Sequence, residues 1–160
     1  MDSRMNKTYY SWEDLKIDTL SIISQVYKTN WMPHYIVGIK RGGLVPAVVL
    51  SHNINAPMYI MNCQLRDGAA DILGPDSGIY LSEPMAANLH SKILLVDDIC
   101  DSGDTFERSV EQLMNGNGFT NIKTCCLIYN TRQKFIPDFY ARKIDRKKDK
   151  NWISFPWEVI

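Results

Sequence analysis

The nine residues Asp97-Asp98-Ile99-Cys100-Asp101-Ser102-Gly103-Asp104-Thr105 gather four carboxylates and two hydroxyls directly behind an apolar run, Lys92–Val96. Adjacent carboxylates such as Asp97 and Asp98 suit vicinal sugar hydroxyls or a hard divalent cation, because both present oxygen ligands without charge neutralisation. Ser102, Gly103 and Thr105 open a helical pattern. Unpaired N–H groups, the positive end of the helix dipole and hydroxyls then form an anion site. One segment therefore offers grips for both ends of a sugar phosphate. A lone Asp-Ser-Gly would be an ordinary helix cap. A second polar turn, Lys40-Arg41-Gly42-Gly43, follows another apolar run, Tyr35–Ile39. Its glycines let backbone approach an anion closely, and Arg41 with Lys40 supplies positive charge. Taken alone, that turn reads as a plain strand-to-helix connection.

The elements that must position these turns are legible as alternating periods. Trp12 to Tyr27 carries Leu15, Ile17, Leu20, Ile23 and Val26 at helical spacing, with Ser11 as N-cap and Asp14 three residues on. Leu44 to Asn53 reads as a helix that tolerates Pro46 in its first turn. Phe106 to Asn115 reads as a third. Apolar, β-branched runs at 35–39, 57–62, 92–96 and 122–129 read as buried strands, with a short one at 138–143. Strands alternating with helices predict an α/β fold with a mainly parallel sheet flanked by helices. Ligands of such sheets sit beyond the carboxyl ends of the strands, where both polar turns fall. Residues 64–84, rich in Gly and Pro and with little periodicity, read as a long loop, functional or disordered.

Composition bounds the rest. The chain has 160 residues, enough for one domain with one core, and 18 basic residues against 18 acidic ones. That balance argues against a nucleic-acid binder. The stretch 142–150 mixes Arg142, Lys143, Arg146, Lys147, Lys148 and Lys150 with Asp145 and Asp149, and reads as a solvated face. No apolar run has membrane-spanning length, and no leader pattern opens the sequence. Cys63, Cys100, Cys125 and Cys126 lack metal-site spacing and read as buried free thiols. A cytoplasmic location without membrane attachment is expected.

The string DDICDSGDT after a strand resembles the phosphoribosyl pyrophosphate (PRPP) signature of the type I phosphoribosyltransferases. YIVGIKRGGLVP (35–46) resembles that family's pyrophosphate loop, and WISFPWE (152–158) the tail of its xanthine–guanine and hypoxanthine members. The likeness covers most of residues 30–160. It implies a single phosphoribosyltransferase domain over 1–160 with a Rossmann-like core, a flexible loop at 64–84 and a base-binding segment at 130–160. It implies transfer of a phosphoribosyl group from PRPP to a 6-oxopurine, with release of pyrophosphate, in purine salvage. By the same resemblance Asp97 and Asp98 hold the ribose hydroxyls and Mg²⁺, and Asp101 is the catalytic acid/base. Asp101, Ser102, Gly103, Asp104 and Thr105 clasp the 5-phosphate. Lys40, Arg41, Gly42 and Gly43 bind pyrophosphate, with a non-proline cis peptide at Lys40–Arg41. Trp152 stacks on the base, and Ile153 offers backbone groups to its edge. Arg66 and Asp67 are candidates in the closing loop. Relatives being oligomers, self-association is expected.

One position departs from the family. Purine enzymes place a lysine where this chain has Asn130. Asn130 itself, Arg132 or Lys134 are the candidates to serve instead, and another nitrogen base is an open alternative. So is a non-catalytic regulator that senses PRPP or nucleotides on the same fold. A metal-dependent phosphatase accounts for the aspartates but not for the turn at 40–43 or the tail.

Overall fold

The computed structural model describes residues 6–63 and 79–158. Its centre is a six-stranded sheet in the order β4-β3-β2-β5-β6-β7. The strands are β2 (Tyr35–Lys40), β3 (Met58–Cys63), β4 (Ile79–Leu81), β5 (Lys92–Cys100), β6 (Asn121–Asn130) and β7 (Phe139–Ile144). Every neighbouring pair is parallel except β3–β4. The α/β class and the mainly parallel sheet expected from the sequence are what is found.

The continuous apolar runs make sense because the sheet is covered on both faces. Leu94 and Val96 of β5 enter one core with Ile22, Val26, Ala47 and Leu50. Ile93 and Leu95 enter the other with Phe106 and Leu113. Helices α1 (Trp12–Lys28) and α2 (Leu44–Ile54) thus cover one face, and α3 (Asp104–Glu111) with a following π-turn (Gln112–Gly116) covers the other. Each fully buried aliphatic side chain contributes about 1.5–3 kcal/mol, so β5 is a principal anchor of the fold.

Helix α1 begins where its sequence predicts. The Asp14 N–H donates to Ser11 Oγ at 3.0 Å and the Ser11 N–H to Asp14 Oδ2 at 2.8 Å, a reciprocal capping box. Its buried face is narrower than its apolar stripe: Ile17 and Leu20 are 54% and 55% exposed. Helix α2 ends on Asn55 in the left-handed region, at φ 59°. Helix α3 starts at Asp104, two residues earlier than its pattern suggested.

Three short strands were not foreseen. β4 occupies 79–81, so part of the 64–84 segment read as a loop is paired to β3; residues 64–78, with Arg66 and Asp67, lie outside the described residues. β1 (Lys7–Tyr9) and β8 (Trp152–Ser154) form a separate parallel pair. That pair fastens the C-terminal segment to the N-terminal one. Tyr10 Oη donates to Asp18 at 2.7 Å, Arg142 Nε donates to Asp18 at 2.7 Å, and Arg142 Nη2 donates to Asp14 at 2.6 Å. Tyr10 also packs on Phe155, with ring centroids 5.1 Å apart.

From β2 the chain runs outward through α2 to β3, whereas from β5 it runs the other way to β6 and β7. The reversal lies between β2 and β5. Crevices at such switch points are where open α/β sheets bind ligands.

Candidate active site

Both polar turns leave the carboxyl ends of the two strands that flank the reversal, and they pack on one another. A Cβ on Gly42 would lie 2.0 Å from Asp98 Oδ2. A Cβ on Gly43 would lie 2.4 Å from the Val96 carbonyl oxygen and 2.8 Å from Asp97 Cα. Glycine at both positions is therefore a matter of close approach between β5 and the 40–43 turn. The Lys40–Arg41 peptide is cis, as the family resemblance implied. Lys40 and Arg41 are exposed, and among the described residues their side chains make no hydrogen bond or ion pair.

β5 continues past its apolar run, so Asp97 and Asp98 are strand residues rather than turn residues. The Asp98 N–H donates to Asp97 Oδ1 at 2.9 Å, and the Ile99 N–H to Asp98 Oδ1 at 2.7 Å. Burial pushes both carboxyls upward: Asp97 well above the usual range, helped by the charge of Asp98, and Asp98 to about 6, helped by Glu158. Such crowding favours a bound cation or hydroxyl donors. Asp97, Asp98, Asp101, Ser102, Gly103 and Thr105 line a cavity of about 200 Å³ with Ile99, Cys100 and Phe106.

Gly103 turns the chain into α3 at φ 90°, and a Cβ there would meet Phe135 Cβ at 2.6 Å. Phe135 in turn stacks on Phe106 at 5.4 Å between centroids. Backbone conformation and a covering ring thus both call for glycine. The Asp104 N–H donates to Ser102 Oγ at 3.3 Å, and among the described residues no side chain caps the remaining first-turn donors of α3. Those donors face the requirements of an anion. Asp104 itself is exposed.

Asp101 is half exposed and heavily partnered. Arg146 straddles it, with Nε to Oδ1 and Nη2 to Oδ2 both at 3.1 Å. Asn130 Nδ2 donates to its side chain and to its carbonyl oxygen, each at 3.1 Å. Arg146 Nη1 donates to the Asn151 carbonyl at 2.6 Å, which places the guanidinium next to the residue preceding Trp152. Trp152 is 51% exposed. The Ile153 side chain is buried in the core with Phe155. The Trp152 N–H donates to Asn6 O and the Tyr10 N–H to Ser154 O. Ladder alternation therefore turns the backbone polar groups of Ile153 away from β1.

The other cations considered from sequence are placed differently. Arg132 forks Asp145, with Nε at 2.7 Å and Nη2 at 2.5 Å, and Lys134 is exposed. Arg146 was missed because the 142–150 stretch reads as a solvated face. Two of its cations, Arg142 and Arg146, point inward instead. Nothing local signals the second case, since Arg146 and Asp101 are 45 residues apart. Among the described residues no group of three or more His, Cys, Asp or Glu side chains is arranged to hold a metal, and no helix is long and apolar enough to cross a membrane.

Comparison with known proteins agrees with this architecture. The phosphoribosyl transferase domain family matches residues 5–159. The xanthine-guanine phosphoribosyltransferase of Gluconobacter oxydans is 27% identical over 155 residues, covering 93% of this chain and 83% of that protein. Its counterpart in Idiomarina loihiensis is 26% identical over 153 residues, covering 94% and 86%. Among solved structures, the purine phosphoribosyltransferase of Pyrococcus horikoshii superposes with a TM-score of 0.76 at 26% identity, covering 98% of this chain and 96% of that one. The xanthine-guanine-hypoxanthine phosphoribosyltransferase of Helicobacter pylori does so at 0.77 and 25% identity, covering 96% and 95%. With the family matched over nearly its whole length, the chain belongs to the phosphoribosyl transferase domain family.

Proposed function

We propose that the chain transfers the phosphoribosyl group of PRPP to a 6-oxopurine, forming a nucleoside 5-monophosphate and pyrophosphate. The observation that carries this reading is the contact of Gly42 with Asp98 at the switch point. It sets a glycine-rich turn with two exposed cations beside a carboxylate pair and a helix start whose N-cap, Gly103, offers no side chain.

In this reading the N–H groups at the start of α3, with Ser102 and Thr105, hold the 5-phosphate, and Asp101, Gly103 and Asp104 complete that loop. Asp97 and Asp98 hold the ribose hydroxyls. Lys40, Arg41 and the Gly42 and Gly43 backbone hold pyrophosphate. The acid pair also fits Mg²⁺. Its donors are all oxygen, its mutual crowding is relieved by a cation, and substrate oxygens complete the shell that two carboxylates leave open. Mg²⁺ bound there would supply charge neutralisation on the pyrophosphate.

PRPP carries its own leaving group, so the residues position it and stabilise charge. The bond from the ribose anomeric carbon to pyrophosphate breaks as the bond to the base nitrogen forms. Positive charge that develops on the ribose faces Asp97 and Asp98. Arg41 and Lys40 receive the departing negative charge, and Asp101 takes the proton that the base gives up. The segment 130–160 supplies the base side, with Trp152 as the stacking face and the Ile153 backbone at the ring edge. Two xanthine-guanine relatives support a purine as acceptor.

The test is product identification from PRPP, Mg²⁺ and hypoxanthine, guanine or xanthine. The expected product is the corresponding monophosphate. Asp101→Asn is expected to lower turnover by about 10²–10⁴-fold, the usual share of a general acid or base, while PRPP affinity holds. Unchanged turnover in that variant refutes the role given to Asp101.

A further inference from the structure

The mechanism above gives no task to Arg146, yet Arg146 is the cation built into the base side of the site. Its guanidinium is anchored three ways. Nη1 donates to the Asn151 carbonyl at 2.6 Å, and Nε and Nη2 reach the two oxygens of Asp101 at 3.1 Å. The side chain is 22% exposed. Asn130, at the position where the family resemblance implies a lysine, is 1% exposed and fully engaged. Its amide nitrogen donates twice to Asp101, at 3.1 Å each. Its oxygen accepts from the N–H groups of Arg132 at 3.2 Å and Arg146 at 3.4 Å. A carboxamide has two donor hydrogens and two acceptor lone pairs, so none is left to read a ligand. Asn130 is a positioning residue for Asp101 and Arg146. Arg132 is occupied by Asp145.

The chemistry of the pair Asp101–Arg146 specifies a ligand edge. A guanidinium presents N–H groups side by side, so one can donate to an exocyclic carbonyl oxygen while another keeps a carboxylate. Asp101 offers an acceptor next to that donor fork. We propose that Arg146 reads the exocyclic oxygen of the base: as the base enters, one arm of the fork passes from Asp101 to the 6-oxo oxygen, and Asp101 takes the adjacent ring N–H. The free-state ion pair thus keeps both groups aimed at the place the base edge fills. A 6-amino base turns N–H donors toward Arg146 in place of the carbonyl oxygen, and with its ring N–H held by Asp101 it leaves that arm of the guanidinium without an acceptor, which is a strong ground for rejection. This inference rests on the 6-oxopurine reading above and assigns its selectivity to one side chain.

The experiment compares unmodified protein with Arg146→Gln and Arg146→Lys, measuring kcat and KM for hypoxanthine and adenine, and PRPP affinity separately. In Arg146→Gln the hypoxanthine KM is expected to rise about 10- to 100-fold, the range of one charge-assisted hydrogen bond. PRPP affinity is expected to hold, and the preference for hypoxanthine over adenine to shrink by a similar factor. Arg146→Lys keeps the charge without the fork and should fall between the two. Should the glutamine variant melt early, the lysine variant carries the test through the same narrowing of preference. Equal loss of kcat on both bases with unchanged preference overturns the inference, since Arg146 then only holds Asp101. Unaltered kinetics also overturn it. Failure of the unmodified protein to use any 6-oxopurine overturns the underlying reading instead, so the two failures are distinct.

Discussion

Burial of Asp98 against Gly42 makes stability depend on pH. Its folded value, about 6, stands above the ordinary 3.8. Below 3.8 both folded and unfolded chains hold the proton. As pH rises toward 6 the unfolded chain releases it first, so stability falls across that window and the loss persists above it. Asp98→Asn keeps an oxygen acceptor for the Ile99 N–H and removes the charge. It is expected to raise the melting temperature at pH 7 more than at pH 4 while abolishing transfer. A gain that does not grow with pH contradicts this account of Asp98. Gly103→Ala is expected to destabilise by about 1–3 kcal/mol, because the new methyl must share space with Phe135 in a left-handed backbone; equilibrium denaturation measures it. Both residues stand inside the string that the sequence singles out. The tightness of Gly42 on Asp98 does not show there, since it arises between segments more than fifty residues apart (Gly42 and Asp98).

At the scale of elements, β5 does two jobs: its apolar half anchors the sheet and its last residues carry the acids into the site. Close packing of the 40–43 turn on its end fixes the distance between the acids and the basic turn. Gly43→Ala therefore tests the element pair directly. The added methyl meets backbone atoms that cannot rotate away. A loss of about 1–3 kcal/mol and weakened PRPP binding are expected, read by denaturation and calorimetry. The strands β2, β3, β5, β6 and β7 and the start of α1 were legible because long apolar runs and a Ser-x-x-Asp cap are local signals. β1 and β8 were not: three residues carry no period, and their partner is at the other end of the chain. The exposure of Ile17 and Leu20 was also hidden, because a helical stripe does not say how wide a face its neighbours cover.

Over the whole molecule, one buried cluster ties the N-terminal segment to the segment that the proposed reading gives to the base. Asp18 is 4% exposed and receives Tyr10 Oη and Arg142 Nε. Arg142→Met would leave that carboxylate, among the described residues, with the tyrosine alone. A destabilisation of about 1–3 kcal/mol is expected in thermal or chemical unfolding, since Arg142 is itself partly exposed and screened. The same change should raise the KM for the base more than that for PRPP, because β7 and the 145–152 segment carry Arg146 and Trp152. In the proposed reading a phosphoribosyl half on β2, β5 and α3 faces a base half drawn from the 130–160 segment. The central claim is coupled use of both halves. The most direct measurement is pyrophosphate release from PRPP and Mg²⁺ with and without each of a panel of bases. The account predicts release that depends on hypoxanthine, guanine or xanthine. Bound PRPP with no release for any base would contradict it and point to a sensing role for the fold.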